Sequence, residues 1–556
     1  MARSAIKNRT TILVLCTAQF VMVLDTTVMN VSISQVVSDL DTTVPMVQLA
    51  ITAYTLVMAA FMLTGAKLGD IWGRRRAFGI GLVVYGVGSL ITALSPSITV
   101  LLIGWSGIEG LGAVLVIPAI MSLTAANYSG RERALAFALL GGVAGAGAAV
   151  GPLIGGFVTT ALTWRVVFAS ETVVVLVIVL FFVRKIHDEP LDSRPTLDRV
   201  GTALSALGLG LLVFGILKIS QWGLFKPTGA MEIGGTKITP FGFSVCPFLI
   251  LGGLIVMGIF LRWEERVERH GRVPLLRADL LRVPQMRAGL SMVVSQFLIL
   301  AGTFFVIPLY LQLVLGKNAL NTGLKILPIS VAMMLGALLG PRLATRMSPR
   351  RIVQIGLGFL FVSILLLMAT ISPSLASVAF AISLAGFGAG IGLVISQLGN
   401  VVMSSVEVSR SSEAGGLQGA AQNLGQSLGT ALIGAVLLTA LTTGFQDRVQ
   451  ADPAVPQNVQ KQVASGTEEG LNMISKSQAE SITKDAGLPP RQADALVKDY
   501  SDAQIDALKK ALFAASMFAL VGLWFARALP GEALGAPEAD EAGAGPPPQA
   551  EPEPVA

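Results

Sequence analysis

Long apolar runs with few charges recur from Thr11 to Phe525, and they constrain this chain more than any other feature of its sequence. A helix needs roughly 20 mostly apolar residues to cross the hydrocarbon layer of a bilayer, because each residue adds about 1.5 Å. Only 13% of the residues are charged and 53% are hydrophobic, which excludes an ordinary soluble domain. The runs are rich in glycine and do not alternate polar with apolar residues, so we predict an all-α integral membrane protein and not a β-barrel.

The spacing of the runs predicts about fourteen membrane spans. They lie near residues 11–33, 46–68, 77–95, 98–125, 134–160, 166–183, 199–221, 243–262, 287–315, 322–343, 351–371, 374–403, 414–441 and 508–527. The first run is followed by no small-residue cleavage site, so we expect it to be an uncleaved span and not a signal peptide.

Arginine and lysine residues concentrate in alternate loops, for example at Arg74–Arg76, at Arg131 and Arg133, and at Arg342–Arg351. Cytoplasmic loops carry the excess of such residues in membrane proteins. We therefore predict the bacterial inner membrane as the location, with both termini in the cytoplasm. The same asymmetry accounts for the net charge of +6 without a nucleic-acid-binding surface.

Two basic loops, Ala66–Arg76 and Pro341–Arg351, look like copies of one another, which indicates an internal repeat. Their positions require two additional spans between two six-helix halves. The predicted units are an N-terminal bundle at 1–184, an inserted pair of spans at 185–286, a C-terminal bundle at 287–529, and a disordered acidic and proline-rich cytoplasmic tail at 530–556. Within the C-terminal unit, residues 442–507 are polar and are expected outside the cytoplasm, with helical spacing in Leu496, Tyr500, Ala503 and Ala507.

Three motifs along the chain resemble those of the major facilitator superfamily, specifically its fourteen-span drug:proton antiporter branch. Leu24–Val31 looks like the LDxTxVNVA signature of the first span, and Ala66–Arg76 resembles the cytoplasmic GxLaDrxGRR loop, departing at Ala66 and Ile71. Gly147–Gly156 resembles the GxxxGPxxGG motif that is associated with export. The likeness covers nearly the whole chain except its tail. It implies two six-helix repeats that transport by alternating access, driven by a proton gradient and without a cofactor.

Carboxylates inside spans are the candidate proton-coupling residues. An ionised carboxylate at mid-membrane costs roughly 2.5–3.5 kcal/mol, so Asp25 is expected to take up and release protons, or else to hydrogen-bond a neighbouring helix. The branch's RxxQGxG motif appears here as Ser106–Gly112, without its Arg and with Glu109 in place of Gln. Helix rise places Asp25 and Glu109 within roughly one turn in depth. Glu171 is a third candidate, and we expect it nearer the hydrated outer interface.

The resemblance also implies residues that control conformation. Asp70, Gly73, Arg74 and Arg75 would join the two halves on the cytoplasmic side, with Asp70 meeting a helix N-terminus or a basic partner. The arginines could equally act only as determinants of topology.

Gly147, Gly151 and Gly155 recur every four residues, so they share one helix face and let another helix approach closely. Pro152 weakens that helix locally. The alternative is that these residues serve packing alone.

Family cavities use spans equivalent to the first, fourth, ninth and twelfth of this chain. The implied substrate contacts are Asp25, Asn30, Glu109, Gln296, Phe304, Gln397 and Gln422. Polar residues in spans also act as hydrogen-bonding links between helices, and that interpretation stays open for each glutamine. Carboxylates without a matching buried Arg favour cationic or neutral lipophilic substrates over anions.

The sequence therefore predicts a monomeric, proton-coupled antiporter that exports lipophilic small molecules, with protons and the lipid bilayer as its other partners. The alternative is an exporter of a specific envelope lipid or natural product that works with an extracytoplasmic protein docked on 442–507. A membrane enzyme or a metal site is not indicated, because the only histidines are His187 and His270, in polar loops without metal-ligand spacing.

Overall fold

The computed structural model describes residues 9–42, 44–188, 196–227, 231–233, 236–375, 377–407, 410–467, 471 and 473–531. Long helices dominate these residues. They are α1 (Arg9–Asp39), α2 (Val44–Trp72), α3 (Arg74–Ala93), α4 (Ile98–Asn127), α5 (Gly130–Ala161), α6 (Arg165–Phe181), α7 (Arg199–Leu217), α8 (Cys246–Arg269), α9 (Pro284–Val314), α10 (Ala319–Ala344), α11 (Pro349–Thr370), α12 (Ser377–Ser404), α13 (Ser411–Ala451) and α14 (Pro490–Phe525). Two of them contain π-helical segments, Leu102–Glu109 in α4 and Tyr310–Val314 in α9.

Among the described residues, 13 helices are long and apolar enough to cross a membrane. The remaining long helix, α6, has 17 residues, which is at the lower limit for a span. The predicted multi-pass helical architecture is therefore confirmed, whereas the count of fourteen spans stays a prediction.

The last two long helices extend well beyond their predicted spans of 414–441 and 508–527. α13 has 41 residues and α14 has 36. At about 1.5 Å per residue they are roughly 62 Å and 54 Å long, more than the about 45 Å of a whole bilayer. Both helices therefore project from the membrane, which apolar runs cannot reveal because the projecting turns are polar.

The polar segment between these spans is largely helical. Short helices at Gln457–Gly466 and Lys476–Asp485 pack beside the projecting ends of α13 and α14. Leu496, Tyr500, Ala503 and Ala507 all lie buried on one face of α14, so their predicted helical spacing is confirmed.

A small antiparallel hairpin, β1 (Met231–Ile233) with β2 (Thr236–Ile238), lies between α7 and α8, so the described chain is not entirely α-helical. The predicted disordered tail, 530–556, lies outside the described residues beyond Gly531.

The helices of the two predicted halves meet at the end of the bundle that carries the loops after α2 and α4, which we call the basic end. A Cβ on Gly416 of α13 would lie 2.6 Å from the Cβ of Ala66 in α2, and one on Gly399 of α12 would lie 3.2 Å from Phe137 in α5. Such short separations leave no space between the helices, so the two groups of helices are closed against each other at this end.

Candidate functional site

Three carboxylates converge inside the N-terminal helices. Asp25 of α1, Glu109 of α4 and Glu171 of α6 each place a carboxylate oxygen within 4.8 Å of the other two. Their exposed fractions are 0%, 0% and 2%. The predicted proximity of Asp25 and Glu109 is confirmed, whereas the hydrated position expected for Glu171 is wrong because α6 packs against α3 and turns this side chain inward.

Aromatic side chains supply the hydrogen bonds that reach this carboxylate cluster. The indole Nε1 of Trp105 donates to Asp25 Oδ1 over 2.8 Å, and the Tyr85 hydroxyl donates to Glu171 Oε2 over 3.5 Å. Tyr54 stacks on Trp105 with 4.8 Å between ring centroids and 7° between planes. The sequence analysis did not identify Trp105, Tyr85 or Tyr54 as site residues. A usable signal was present, because aromatic residues make up only 6% of the chain, which contains 5 tyrosine residues, and these three lie inside spans.

Most carboxylate oxygens of the cluster have no hydrogen-bond partner. Among the described residues, Asp25 Oδ2, both oxygens of Glu109 and Glu171 Oε1 are buried and unpaired. Two negative charges about 4.8 Å apart repel by roughly 3.5 kcal/mol even at an effective dielectric constant of about 20. Three buried charges at this separation would be strongly unfavourable, so the arrangement can hold protons, and it can exchange them for a cation.

Close contact between α3 and α4 fixes the position of Glu109. A Cβ on Gly88 of α3 would lie 2.5 Å from the Glu109 backbone nitrogen, and one on Gly112 of α4 would overlap the Tyr85 backbone. The π-helical segment Leu102–Glu109 ends at this carboxylate, and such insertions are frequent at functional sites. The backbones of α3 and α4 are therefore in contact beside the carboxylate cluster, and this contact fixes the positions of Tyr85 and Glu109.

The glycines of α5 position α1, the helix that carries Asp25. A Cβ on Gly147 would lie 3.2 Å from Val23, one on Gly155 would lie 3.1 Å from Val28, and one on Gly151 would overlap the Thr27 side chain. The side chain of Pro152 lies outside the described residues. The predicted glycine face is thus in contact with the segment of α1 on either side of Asp25.

Asp70 lies at the basic end, where α2 meets the C-terminal helices. It is buried beside Ser412, in the first turn of α13, and beside the side chains of Lys67 and Arg74. Asp70 thus lies beside the N-terminal turn of α13, one of the two alternatives that the resemblance implied, and its role in joining the halves stays a prediction.

Arg75 behaves differently from this expectation. Its backbone nitrogen donates to Asp188 Oδ2 over 2.8 Å and its guanidinium donates to the Ile186 carbonyl over 3.2 Å. Gly73, with φ of 91°, makes the turn that allows this. Arg75 therefore ties α3 to the loop after α6, within the N-terminal helices.

Four of the predicted substrate residues, Gln296, Phe304, Gln397 and Gln422, lie in the C-terminal helices. Gln296 and Gln397 are buried, Phe304 and Gln422 are half-buried, and the Asn30 side chain lies outside the described residues. Gln397 donates to Ser396 Oγ over 2.9 Å. Among the hydrogen bonds of the described residues, none joins these side chains to Asp25, Glu109 or Glu171, so their roles stay predictions.

The chain is similar in sequence to membrane transport proteins. The sequence model described as Major Facilitator Superfamily matches residues 15–430. The cephamycin export protein CmcT of Amycolatopsis lactamdurans is 30% identical over 457 residues, covering 79% of this chain and 87% of that protein. The probable actinorhodin transporter of Streptomyces coelicolor is 29% identical over 435 residues, covering 77% and 72%. The multidrug resistance protein Stp of Mycobacterium tuberculosis is 27% identical over 418 residues, covering 75% and 73%.

Solved structures agree on the fold. The human organic anion transporter MFSD10 aligns with a TM-score of 0.57 and 12% identity, covering 94% of this chain and 99% of that one. The proton:xylose symporter XylE aligns with a TM-score of 0.52 and 14% identity, covering 75% and 86%. At these identities the likeness concerns the fold alone.

Proposed function

Because the chain belongs to the major facilitator superfamily, and is therefore a multi-pass membrane transporter and not an enzyme, we propose that it exports lipophilic small molecules in exchange for protons. The observation that carries this proposal is the buried cluster of Asp25, Glu109 and Glu171, whose oxygens are mostly unpaired. Its relatives are named as a cephamycin export protein, a multidrug resistance protein and a probable actinorhodin transporter, which supports outward transport of drug-like molecules.

The proposed mechanism is alternating access around the carboxylate cluster. Substrate enters from the cytoplasm or the inner leaflet, and protons that reach the cluster from outside neutralise it and promote release outward. Protons then leave to the cytoplasm when the basic end opens. A cationic substrate competes directly with protons, because both are attracted to the same carboxylates.

The missing Arg of the fourth span changes the route of the proton. Ser106 occupies that position and donates to the Ala50 carbonyl over 2.7 Å, which ties α4 to α2. Glu109 lies three residues further along the same helix segment and takes over as the second titratable group. We propose that Asp25 and Glu109 share the proton that drives transport, with Glu171 as the third member.

The orientation follows from the distribution of charge. Arginine-rich loops favour the cytoplasmic side, so the basic end is assigned to the cytoplasm of a bacterial inner membrane, with both termini there. The same proposal includes a monomeric state and the division of the chain into units at 1–184, 185–286 and 287–529.

A second candidate substrate is a specific envelope lipid or natural product. The projecting ends of α13 and α14 favour it, because they form a helical cap with a buried core at the end of the bundle opposite to the basic end. Under this alternative, residues 442–507 would dock an extracytoplasmic partner protein that receives the exported molecule.

The test is transport of ethidium, a permanent cation, by the purified protein in liposomes under an imposed pH gradient. We expect the dye to accumulate in the acidic compartment and the accumulation to stop when a protonophore collapses the gradient. Dye movement that ignores the protonophore would rule out proton coupling. Proton flux that responds only to an added lipid or natural product would favour the second candidate, and protein-free liposomes are the control.

Trp105→Phe is expected to lower gradient-driven transport by about tenfold or more. The substitution keeps an aromatic ring that can stack on Tyr54, although a smaller one, and removes the N–H that donates to Asp25. A hydrogen bond to a charged group contributes about 1.5–3 kcal/mol, and about 1.4 kcal/mol corresponds to a factor of ten. Initial rates of dye uptake in liposomes measure the effect.

Trp164→Phe is the matched control for this prediction. Trp164 is also buried and donates to a carboxylate of α1, Asp39 Oδ2, over 3.0 Å, but outside the cluster. We expect its rate to stay close to that of the wild type. Equal losses in the two variants would show that the Trp105 hydrogen bond serves helix packing only.

A further inference from the structure

The chain segment that follows the inserted helix pair, residues 272–282, lies folded against the bundle, and we call it the strap. Near the end of α8, the buried carboxylate of Glu264 accepts hydrogen bonds from the backbone nitrogens of Leu275, over 2.6 Å, and Leu276, over 3.2 Å. Both leucine side chains are buried. The strap is therefore fixed to the inserted pair by two hydrogen bonds to a buried carboxyl group and by apolar packing.

The strap also binds the beginning of α13, a helix of the C-terminal half. The Arg277 backbone nitrogen donates to Glu413 Oε2 over 3.4 Å. The guanidinium of Arg410 donates to both oxygens of Asp279, over 2.6 Å and 3.1 Å. This bidentate pair of hydrogen bonds from the Arg410 guanidinium lowers the pKa of Asp279, so the ion pair stays charged at neutral pH.

One residue extends this network to the N-terminal half. The second carboxylate oxygen of Glu413, Oε1, lies 3.7 Å from Lys67 Nζ of α2, and the two side chains are 7% and 2% exposed. Separating a buried pair of this kind leaves a charge without a partner in a poorly hydrated environment, which is costly. Glu413 thus connects α2, α13 and the strap at a single point.

These contacts require the end of α2 and the beginning of α13 to be adjacent, which is the closed arrangement of the basic end. Opening this end during alternating access moves α2 and α13 apart, so Glu413 cannot hold Lys67 and the strap together. We propose that the strap is a latch: it joins the inserted helix pair to both halves and stabilises the state that is closed at the basic end. Asp279, Arg410 and Glu413 are positioning residues of this latch.

This inference rests on the alternating access of the proposed function, and it gives the inserted pair, α7 and α8, a role in it. The competing interpretation is that the strap only covers the end of α8. That interpretation predicts the same stability losses for latch variants, but it predicts no shift in the balance between closed and open states. A measurement of conformation therefore separates the two.

The experiment measures distances by pulsed electron paramagnetic resonance on the full chain in lipid nanodiscs. Spin labels are placed at Arg76→Cys, in the first turn of α3, and at Arg346→Cys, in the loop after α10, after Cys16 and Cys246 are replaced by serine. Both labelled positions are exposed, and they belong to different halves. We expect Asp279→Asn and Arg410→Gln each to raise the ratio of open to closed molecules about twofold to fivefold, the range for a partly exposed ion pair. The charge exchange Asp279→Arg with Arg410→Asp should restore the wild-type ratio.

Arg282→Gln is the matched control. Arg282 is also an exposed strap arginine in an ion pair, but its partner, 2.9 Å away, is Glu265 of α8 and not a residue of either half. Glu264 still holds Leu275 and Leu276 of the strap in this variant, and the contacts of the strap with α13 are intact, so we expect no change in its distance distribution. Any one of three results would overturn the latch. The distances could stay unchanged in the Asp279 and Arg410 variants, Arg282→Gln could shift them equally, or the charge exchange could fail to restore the ratio.

No gradient and no substrate are used, so the result is independent of proton coupling. If the variants shift the distances while the wild type moves no dye, then the proposed function fails and the latch stands. If the wild type transports dye in response to a pH gradient but the distances do not shift, then only the latch fails.

Discussion

Asp25→Asn is expected to reduce gradient-driven dye transport to the rate of protein-free liposomes, while exchange of dye down its own concentration gradient continues. Asparagine cannot take up a proton, so the step that couples proton movement to substrate release is lost. Its carbonyl oxygen can still accept the hydrogen bond from Trp105 Nε1, which spans 2.8 Å in the wild type, so the site keeps its shape. Counterflow of labelled ethidium, measured beside gradient-driven uptake, separates the two activities.

The matched control for this substitution is Asp499→Asn. Asp499 of α14 is also buried and also has an unpaired oxygen among the described residues, but it lies outside the carboxylate cluster. We expect it to retain gradient-driven uptake. Wild-type uptake by Asp25→Asn would remove Asp25 from the mechanism, and loss of both uptake and counterflow would assign it a role in substrate binding or folding instead.

Gly88→Ala is expected to cause a large loss of stability, and with it a loss of transport. The added Cβ would lie 2.5 Å from the Glu109 backbone nitrogen and 2.7 Å from its Cα. Backbone atoms within a helix cannot turn away as a side chain can, so α3 and α4 must separate. Overpacking of this kind costs about 1–3 kcal/mol. Thermal denaturation of the purified protein, followed by the amount that remains monodisperse, measures the loss.

Gly107→Ala, in the neighbouring helix α4, is the control, because the nearest atom to its added Cβ is the Leu102 carbonyl oxygen, 3.8 Å away. Alanine favours a helix over glycine by about 1 kcal/mol, so this variant should be unchanged or slightly more stable. A similar loss in both variants would mean that the cost comes from the helix itself and not from the contact with Glu109. Close contact between α3 and α4 would then not be what fixes the position of Glu109 in the cluster.

Several features of the site could be predicted because they depend on position along one helix. Apolar runs predicted the spans, since the transfer of roughly 20 apolar residues into a bilayer depends on local composition. The glycines at 147, 151 and 155 predicted a face that another helix approaches, because residues four apart lie on one side of a helix. The depths of Asp25 and Glu109 followed from helix rise alone, and the structure places the two carboxylates together.

The sequence by itself therefore determined which segments are apolar enough to enter the membrane, that Asp25 and Glu109 lie at similar depths, and which face of α5 is free of side chains. Only the tertiary structure decided that Glu171 joins the cluster, that Trp105 donates to Asp25 across 80 residues of sequence, and that the strap reaches α13. These contacts depend on how each helix is rotated about its axis. A span that is apolar on every side has no amphipathic stripe to indicate that rotation, so packing against neighbouring helices alone determines it.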